Sequence, residues 1–413
     1  MLKNLKKRKS ILLVLSLLLT LSLLACNQEA AVNNEAGDKV EYAQGITEDT
    51  IKIGTIAVQS GVLSFIGTPY VAGMESYFNM INENGGVNGR KIELLKKDDE
   101  FKPDKAVAAV ESLIYDDEVF AIVGQLGTPG VVAAQDIVKE KGIPSVYFGS
   151  GAVSLTKAGE NFFPVQPNYV YEGKLMSKYA FEEFKADKVV VMYQNDDVGR
   201  DGLEGFKDGL KELDKSSMLP SEGEIAFGAS DTDFTVQIQK AKEQDPDLII
   251  IYGLGGATSG ILKGMEGLGV NKPMLTTYSN ADASFLKMAS KGAPNVIENL
   301  NVMGWLEVNG ESLKPLNEAM KKYYPDVPVN AYTMAGWVAG ETFVAGVKKA
   351  GDNLTWDGYI KAMNNLKFTE GLAPEISYEP GVRQGVTKMA VSKVVKNNGQ
   401  YEFKVKTAFK EFE

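Results

Sequence analysis

The chain has 413 residues, 44% hydrophobic and 24% charged, which exceeds the usual limit of one hydrophobic core and predicts two domains. It contains no histidine and a single cysteine, Cys26, so the usual general base at neutral pH, cysteine-rich metal sites and disulfide bonds within the folded chain are excluded. The formal net charge of −10 argues against nucleic acid as a partner, whereas neutral, zwitterionic or cationic small molecules remain compatible.

Residues 1–25 have the features of a bacterial lipoprotein signal peptide. Five basic residues at positions 3–9 precede an apolar stretch over 11–24, which is too short to span a membrane comfortably. The stretch ends in Leu-Leu-Ala-Cys26, which resembles a lipobox and predicts cleavage before Cys26 and lipidation at that residue. The lipid alone would then anchor the protein to the outer face of the cell membrane. The alternative is a signal anchor or an ordinary secretory peptide.

The next part of the chain alternates predicted strands and helices, after a polar, flexible tether over residues 26–45. Apolar, β-branched runs predict buried strands at 51–58, 91–97, 120–124 and 145–148. Apolar residues at helical spacing predict helices at 69–84, 103–114 and 129–141. This alternation predicts a mostly parallel sheet with helices on both faces.

The same alternation restarts after Pro164 and Pro167. A helix is predicted at 171–184, and strands are predicted at 188–193, 247–252 and 272–278. The segment 195–202, bracketed by glycine, is predicted to form a loop before the next helix. Two α/β lobes in sequence would bind a ligand at the carboxyl ends of their strands, where the lobes face each other.

Enzymatic motifs are incomplete in this sequence. A dinucleotide-like loop begins at Tyr252, but Thr258 occupies the position of its last glycine. Residues 255–260 have the spacing of a phosphate-binding loop, but Ile261 stands where its lysine belongs. No serine has a histidine partner. We therefore predict a binding protein that has no enzymatic activity, no cofactor and no metal ion.

Two predicted strand-to-helix loops have the composition of an anion-binding site. They are residues 125–130 and 149–152. Each loop would place backbone N–H groups and one hydroxyl group, from Thr128 or Ser150, at a helix N-terminus, where a carboxylate is favoured. Capping of the two helices by Thr128 and Ser150 is an equally weighted interpretation, and the two roles are compatible.

The order and spacing of these motifs resemble the type I periplasmic binding proteins of the branched-chain amino acid (Leu/Ile/Val) receptor family, which serve ABC importers. The resemblance covers residues 46–412 and includes the segments 84–93, 231–235, 245–247 and 375–380. It implies an α/β fold of two Rossmann-like lobes with parallel-rich sheets, joined by three hinge crossovers that close on the ligand. The expected lobes are 46–166 with 302–372, and 167–301 with 373–413.

The resemblance also implies a set of ligand-binding residues. In the first lobe these are Ser60, Phe65 or Ile66, Gln125, Gly127, Thr128, Gly149, Ser150 and Gly151. In the second lobe they are Asp196, Val198, Tyr252, Gly253, Gly255, Ser279, Asn280 and Asp282. Several depart from the family pattern, since Gly151 replaces a threonine, Val198 a tyrosine and Gly255 an aromatic residue.

The sharpest departure concerns the acidic residue that pairs with the ammonium group of an amino acid ligand. At that position, after the predicted strand at 272–278, this chain has Ser279 and Asn280. A buried ammonium group without a carboxylate partner is unfavourable. Either Asp282 or Asp196 supplies the charge from a shifted position, or the ligand lacks an α-amine. Asp282 also suits the N-cap of a following helix.

The sequence therefore predicts an extracytoplasmic solute-binding lipoprotein of an ABC importer. It would capture a small amino acid or organic acid, resembling a branched-chain amino acid, and deliver it to an ABC permease. The protein is expected to be a monomer, to contact the membrane only through its lipid anchor and to bind no nucleic acid. The alternative is a ligand-sensing receptor for amides or aromatic acids on the same fold.

Overall fold

The computed structural model describes residues 42–61, 63–306 and 311–411. The predicted signal peptide, Cys26 and most of the predicted tether lie outside these ranges. Within them, none of the helices combines the length and the hydropathy that a membrane span requires.

A five-stranded parallel sheet with the order β2-β1-β3-β4-β5 forms the centre of the first lobe, counted over the described residues. Its strands are β1 (Thr50–Ala57), β2 (Lys91–Asp98), β3 (Ala121–Leu126), β4 (Ser145–Gly149) and β5 (Phe162–Phe163). Its first three helices are α1 (Ser64–Glu83), α2 (Pro103–Glu111) and α3 (Thr128–Lys141). Every residue of β3 is buried, which agrees with the continuous apolar run that predicted a covered strand.

Helix α1 begins at Ser64, five residues before the predicted start at Pro69. Proline lacks the N–H group that would bond to the carbonyl group of Phe65, in the first turn of the helix. Pro69 is therefore the sixth residue of the helix and leaves that carbonyl group without its helical hydrogen bond, so it does not mark the first residue of α1.

The second lobe is built on a seven-stranded sheet with the order β15-β14-β10-β9-β8-β6-β7, again counted over the described residues. Its parallel strands are β6 (Val189–Gln194), β7 (Glu224–Phe227), β8 (Leu248–Tyr252), β9 (Met274–Thr276) and β10 (Leu300–Gly304). Its helices are α4 (Tyr169–Glu182), α5 (Asp197–Glu212), α6 (Thr235–Glu243), α7 (Gly255–Leu268) and α8 (Ala283–Gly292).

After β10 the chain returns to the first lobe, where the described residues add three α-helices and a small antiparallel sheet. The helices are α9 (Lys314–Tyr323), α10 (Ala331–Ala350) and α11 (Trp356–Met363). The small sheet consists of β11 (Lys367–Phe368), β12 (Ile376–Glu379) and β13 (Val382–Gly385). The antiparallel hairpin of β14 (Met389–Asn397) and β15 (Gln400–Lys410) then completes the edge of the seven-stranded sheet.

Three segments of the described chain connect the two lobes. They lie at 164–168, after Gly304, and between Gly385 and Met389. The first and third are neighbours, because the N–H group of Val386 donates to the carbonyl oxygen of Val165 at 2.8 Å. The resemblance placed the second and third boundaries earlier, at 301 and 372.

The sequence predicted a loop at 195–202, but residues 197–202 form the N-terminal part of α5. Asp196 caps this helix, since its side chain accepts hydrogen bonds from the N–H groups of Val198 (3.1 Å) and Gly199 (3.4 Å). Gly202 packs against the ring of Tyr252, where a Cβ atom would overlap the ring. The glycines of this segment allow close packing of a helix, and they do not break it.

Candidate ligand-binding cleft

A cavity of about 700 Å³ lies between the lobes at the carboxyl ends of their strands. The first lobe contributes the residues that follow β1, β3 and β4 and the first turn of α10. The second lobe contributes the residues that follow β6, β8 and β9, and the connecting segments contribute Gln166 and Trp305. The volume is within the range of about 300–1,000 Å³ that is typical of small-molecule sites.

Aromatic side chains form much of the cavity wall. They are Phe65, Tyr70, Phe101, Tyr147, Tyr169, Tyr278, Phe285, Trp305, Tyr332, Phe403 and Phe409. The rings of Tyr169 and Tyr278 stack with centroids 6.1 Å apart. The ring of Tyr147 lies 6.1 Å from that of Tyr70 and 6.2 Å from that of Trp305. Such a wall suits a ligand with a large apolar or aromatic body.

A cluster of hydroxyl groups lies at the N-terminus of α3. The Thr128 hydroxyl is 2.8 Å from the Ser150 hydroxyl and 3.4 Å from the Tyr169 hydroxyl. The N-cap residue is Gly127, whose φ of 111° favours glycine, and no described side chain caps the helix. The Thr128 hydroxyl therefore does not cap α3. Together with the free N–H groups of the first helical turn, it can bind a carboxylate.

Ser150 has a local role in addition to its contact with Thr128. Its hydroxyl oxygen accepts a hydrogen bond from the N–H group of Ala152 at 3.2 Å, which stabilises the turn after β4. Ser150 is 1% exposed, so it lies behind Thr128 and fixes the position of the Thr128 hydroxyl. The short helix that follows begins after Ala152 and has no side-chain cap, so the interpretation of Ser150 as its N-cap is wrong.

Asp196 does not present a free carboxylate to the cavity. Besides capping α5, it accepts a hydrogen bond of 2.5 Å from the side-chain amide of Gln194. The neighbouring Asp197 also lines the cavity, but it is exposed to solvent in the first turn of α5. An exposed carboxylate at the rim is screened by water, so it is a weak partner for a ligand ammonium group.

Asp282 is the N-cap of α8, as one interpretation of the sequence proposed. One carboxylate oxygen accepts from the N–H group of Ser284 at 2.7 Å. The other accepts from the N–H group of Ala331, the first residue of α10, at 3.1 Å. Asp282 is 2% exposed. Both of its oxygens are therefore engaged by backbone donors, one in each lobe.

A second carboxylate also connects the lobes. Asp201 of α5 accepts a hydrogen bond from the N–H group of Val153, in the first lobe, at 2.7 Å. Burial raises the pKa of the Asp201 carboxyl group. Asp201 and Asp282, both in the second lobe, thus each accept a hydrogen bond across the cleft from a backbone N–H group of the first lobe. These bonds hold the lobes in contact.

The predicted site residues divide into those on the cavity wall and those around it. The wall includes Phe65, Ile66, Gly127, Thr128, Gly149, Asp196, Val198, Gly255, Ser279 and Asp282. The residues around it are Ser60, Gln125, Ser150, Gly151, Tyr252, Gly253 and Asn280. Ser60 is exposed, whereas Asn280 is fully buried and donates to the Gly253 carbonyl group at 2.9 Å. A Cβ atom at Gly151 would lie 2.6 Å from the Tyr169 ring, so the space of the missing threonine is filled by that ring.

Several residues of the wall were missed from the sequence. Gln166 links the lobes, since its side-chain oxygen accepts from the Tyr147 hydroxyl at 3.0 Å and its amide donates to the Tyr278 hydroxyl at 2.8 Å. Tyr169 and Trp305 lie next to the connecting segments. The prolines at 164 and 167 marked a connection, but no local pattern showed that its side chains face the ligand.

A family model described as periplasmic binding protein matches residues 50–400 of the chain. The chain belongs to this family. Leu/Ile/Val-binding protein homolog 3 of Brucella melitensis is 25% identical to this binding protein over 344 residues, which are 79% of this chain and 87% of the relative. These matches confirm the resemblance to type I periplasmic binding proteins of the branched-chain amino acid receptor family.

Solved structures confirm the α/β fold with two lobes. A fatty acid ABC transporter substrate-binding protein from Thermomonospora curvata matches with a TM-score of 0.77 and 22% identity, over 91% of this chain and 96% of that chain. The LivJ protein of Streptococcus pneumoniae in complex with isoleucine gives 0.74 and 21%, over 88% and 100%. A solute binding protein from R. palustris in complex with 4-hydroxybenzoate gives 0.75 and 20%, over 88% and 98%.

Beneath the cleft of this binding protein lies a buried carboxyl group, Glu172 of α4. It accepts hydrogen bonds from the Tyr252 hydroxyl, from the Thr277 hydroxyl at 2.8 Å and from the N–H group of Tyr278 at 2.7 Å. Burial raises the pKa of Glu172 to about 7. Tyr252, which the resemblance placed in contact with ligand, is thus turned toward Glu172, while Tyr278 lines the cavity. The described residues contain no acidic cluster suited to a metal ion.

Proposed function

We propose that this periplasmic binding protein is the extracytoplasmic solute-binding component of an ABC importer and that it captures an organic carboxylate between its lobes. The observation that carries the proposal is the hydroxyl cluster of Thr128, Ser150 and Tyr169 at the uncapped N-terminus of α3, inside an aromatic cavity. Hydroxyl and N–H donors favour a carboxylate, and the aromatic wall favours an apolar remainder. Isoleucine and 4-hydroxybenzoate, bound by two structural neighbours, both carry a carboxylate.

A ligand without an α-amine fits this cleft better than an amino acid. Asp196 and Asp282 are engaged by backbone and amide donors, and Asp197 is exposed. A buried ammonium group would therefore lack a partner that its desolvation requires. A branched-chain amino acid is the second candidate, favoured by the name of the Brucella melitensis relative.

We further propose that Cys26 carries the lipid anchor and that the monomer delivers its ligand to a permease after the lobes close. The hydrogen bonds of Asp282 and Asp201 across the cleft support a closed state that encloses the ligand. The connecting segments near Val165 and Val386 lie side by side, joined by a backbone hydrogen bond, which is consistent with a hinge.

A thermal-shift screen tests the ligand class. A ligand that binds only the folded state raises the melting temperature. Benzoate, 4-hydroxybenzoate and 4-methyl-2-oxopentanoate are expected to raise it, whereas leucine, isoleucine, valine and benzamide are expected to have little effect. A shift with leucine and none with its 2-oxo analogue would contradict the absence of an α-amine in the ligand. If no carboxylate of either kind causes a shift, the carboxylate proposal is wrong.

Replacing Thr128 with valine is expected to weaken carboxylate binding by at least about tenfold. The substitution keeps the shape of the side chain and removes the hydroxyl, and hydrogen bonds to charged groups contribute about 1.5–3 kcal/mol. Isothermal titration calorimetry would measure the affinity. Thr342→Val is the matched control, because the Thr342 hydroxyl is also buried but bonds to the Val338 carbonyl group within α10. Equal affinity of Thr128→Val and the control would argue against the carboxylate cradle.

Replacing Asp282 with asparagine is expected to favour the open state. Asparagine caps a helix as well as aspartate does, so the cap of α8 is retained. If the side-chain oxygen of asparagine keeps the cap, its NH2 group replaces the second carboxylate oxygen. An NH2 group cannot accept a hydrogen bond, so the bond from the Ala331 N–H group across the cleft is lost. We expect a nearly unchanged melting temperature and, in the presence of 4-hydroxybenzoate, a larger radius of gyration than that of the wild type by small-angle X-ray scattering. A radius identical to that of the wild type would show that this bond does not hold the lobes together.

A further inference from the structure

We propose that the ligand is a monocarboxylic acid with an extended aliphatic tail, of the fatty acid class, and that its tail lies in a channel of the second lobe. The channel runs between α8 and one face of β10, β14 and β15. Its lining residues are Phe285, Met288, Gly304, Ala390, Ser392 and Val405. The inference rests on the proposed function, because the carboxylate end is assigned to the Thr128 cluster.

The channel is continuous with the cleft. One cavity is lined both by Thr128 in the first lobe and by residues of β14 and β15 in the second. The strand register places Gly304 opposite Ala390 and Ser392 opposite Val405, so these four residues lie on one face of the sheet. Three neighbouring strands span about 10 Å, which an extended tail can follow once its carboxylate is bound.

Small side chains keep the floor of the channel open. A Cβ atom at Gly304 would meet no described atom within 4 Å. Val302 and Ala390 are buried, yet they belong to none of the hydrophobic clusters that the described residues form. On the opposite face of the same strands, Met303 and Val391 are packed into the core. The channel face is itself filled at Leu300 and Val394, which pack into a second core cluster, and space remains toward Gly304 and Ala390.

The lining of the channel is suited to an aliphatic tail. None of the described residues that line it carries a charge, and Ser392 supplies its polar side chain. Met288 of α8 is 39% exposed and Val405 of β15 is 51% exposed, so apolar surface faces water at the far end. Burial of methylene groups against such surface is favourable. A compact acid held at Thr128 would leave this part of the cavity unused.

A series of saturated acids tests the length of the ligand. Affinities of butanoate, hexanoate, octanoate, decanoate and dodecanoate would be measured by titration calorimetry, with the fluorescence of Trp305 on the cavity wall as a second readout. Each buried methylene group is expected to raise the affinity about fourfold until the channel is full. Equal affinity for butanoate and dodecanoate would overturn the inference.

Variants that fill the channel locate the tail. Ala390→Leu and Ser392→Leu are expected to weaken dodecanoate binding by at least about tenfold and to leave butanoate binding unchanged. Lys393→Leu is the matched control, because Lys393 is exposed and lies on the opposite face of β14. The melting temperature shows whether each variant folds, and Gly304→Leu provides a further substitution on the facing strand.

The outcomes separate this inference from the function on which it rests. An affinity that increases with chain length to the same extent in every folded channel variant would place the tail elsewhere. That result would overturn the channel inference, but not the carboxylate function. Binding of short acids only would do the same. If neither short nor long acids bind, the proposed carboxylate function fails as well. Loss of long-chain binding in Ala390→Leu, with the Lys393→Leu control unaffected, supports the channel.

Discussion

Replacing Gly336 with alanine is expected to destabilise the protein by about 3 kcal/mol. Gly336 lies where α10 crosses α1, and a Cβ atom there would overlap the backbone carbonyl group of Tyr70. Gly73 of α1 faces the carbonyl group of Thr333 in the same way. A backbone carbonyl group cannot rotate away as a side chain can, so the helices must separate and lose contacts along their length. Urea unfolding followed by circular dichroism would measure the loss.

The matched control is Gly267→Ala in α7. A Cβ atom at Gly267 would meet no described atom within 4 Å, so alanine should stabilise the helix by about 0.5–1 kcal/mol. Gly205→Ala in α5 of the second lobe is expected to be destabilising in the same way as Gly336→Ala, because a Cβ atom there would overlap the Val170 carbonyl group. If Gly336→Ala were as stable as Gly267→Ala, the close approach of α1 and α10 would be wrong.

These glycines also show what the sequence could not resolve. Glycine serves two purposes, positive φ angles and close approach of backbones, and the sequence does not say which. Gly85 has a φ of 97° and follows α1, where the sequence predicted a helix end. The sequence predicts a loop at Gly202, although this residue lies in a helix packed against Tyr252. Only the tertiary contact distinguishes the two cases.

Strands β1–β4, β6, β8 and β9 were predictable, because parallel strands covered on both faces require continuous apolar runs, whereas β5, β7 and β10 were not predicted. The strand-end loops at Thr128 and Ser150 were predictable for a related reason, since ligands bind at the carboxyl ends of such strands. Gln166 and Trp305 were not, because the connecting segments that carry them have no repeating pattern. The contribution of Ala390 and Val405 to the cavity wall was not predictable either. Both residues lie in the antiparallel hairpin of β14 and β15, which joins the sheet beside β10.

Asp282 illustrates the boundary between local and tertiary information. Its role as N-cap of α8 depends on residues next to it in sequence, and the sequence suggests that role. Its bond to the N–H group of Ala331 depends on a residue in the other lobe. The sequence could therefore suggest why an aspartate stands there, but not that the same carboxylate connects the two lobes.

Replacing Glu172 with glutamine is expected to remove a large part of the pH dependence of stability. The pKa of Glu172 is raised by burial from an ordinary value of 4.5 to about 7 in the folded protein. Between these values the folded state binds more protons than the unfolded state, so the free energy of unfolding falls as the pH rises. This contribution is fully present below pH 4.5 and lost as the pH passes about 7, a difference of about 3 kcal/mol.

The glutamine variant carries no titrating group at this position, so its stability relative to the wild type should improve by about 3 kcal/mol between pH 4.5 and 7.5. Urea unfolding at a series of pH values would measure this difference. Burial also raises the pKa of Glu341 to about 7, where it accepts from Trp337 at 2.7 Å and from the Leu372 N–H group at 2.8 Å. Glu341→Gln should therefore have a similar effect, and the double variant should have the flattest profile.

Glu172 differs from Glu341 in its connection to the cleft, because it holds the N–H group of Tyr278, which lines the cavity. Ionisation of Glu172 should therefore alter ligand affinity between pH 5 and 8, while ionisation of Glu341 in the first-lobe core should not. Wild-type and Glu341→Gln proteins are expected to share one pH profile of affinity, and Glu172→Gln to show a flatter one. Three identical profiles would mean that the buried charge acts on folding alone and leaves the position of Tyr278 unchanged.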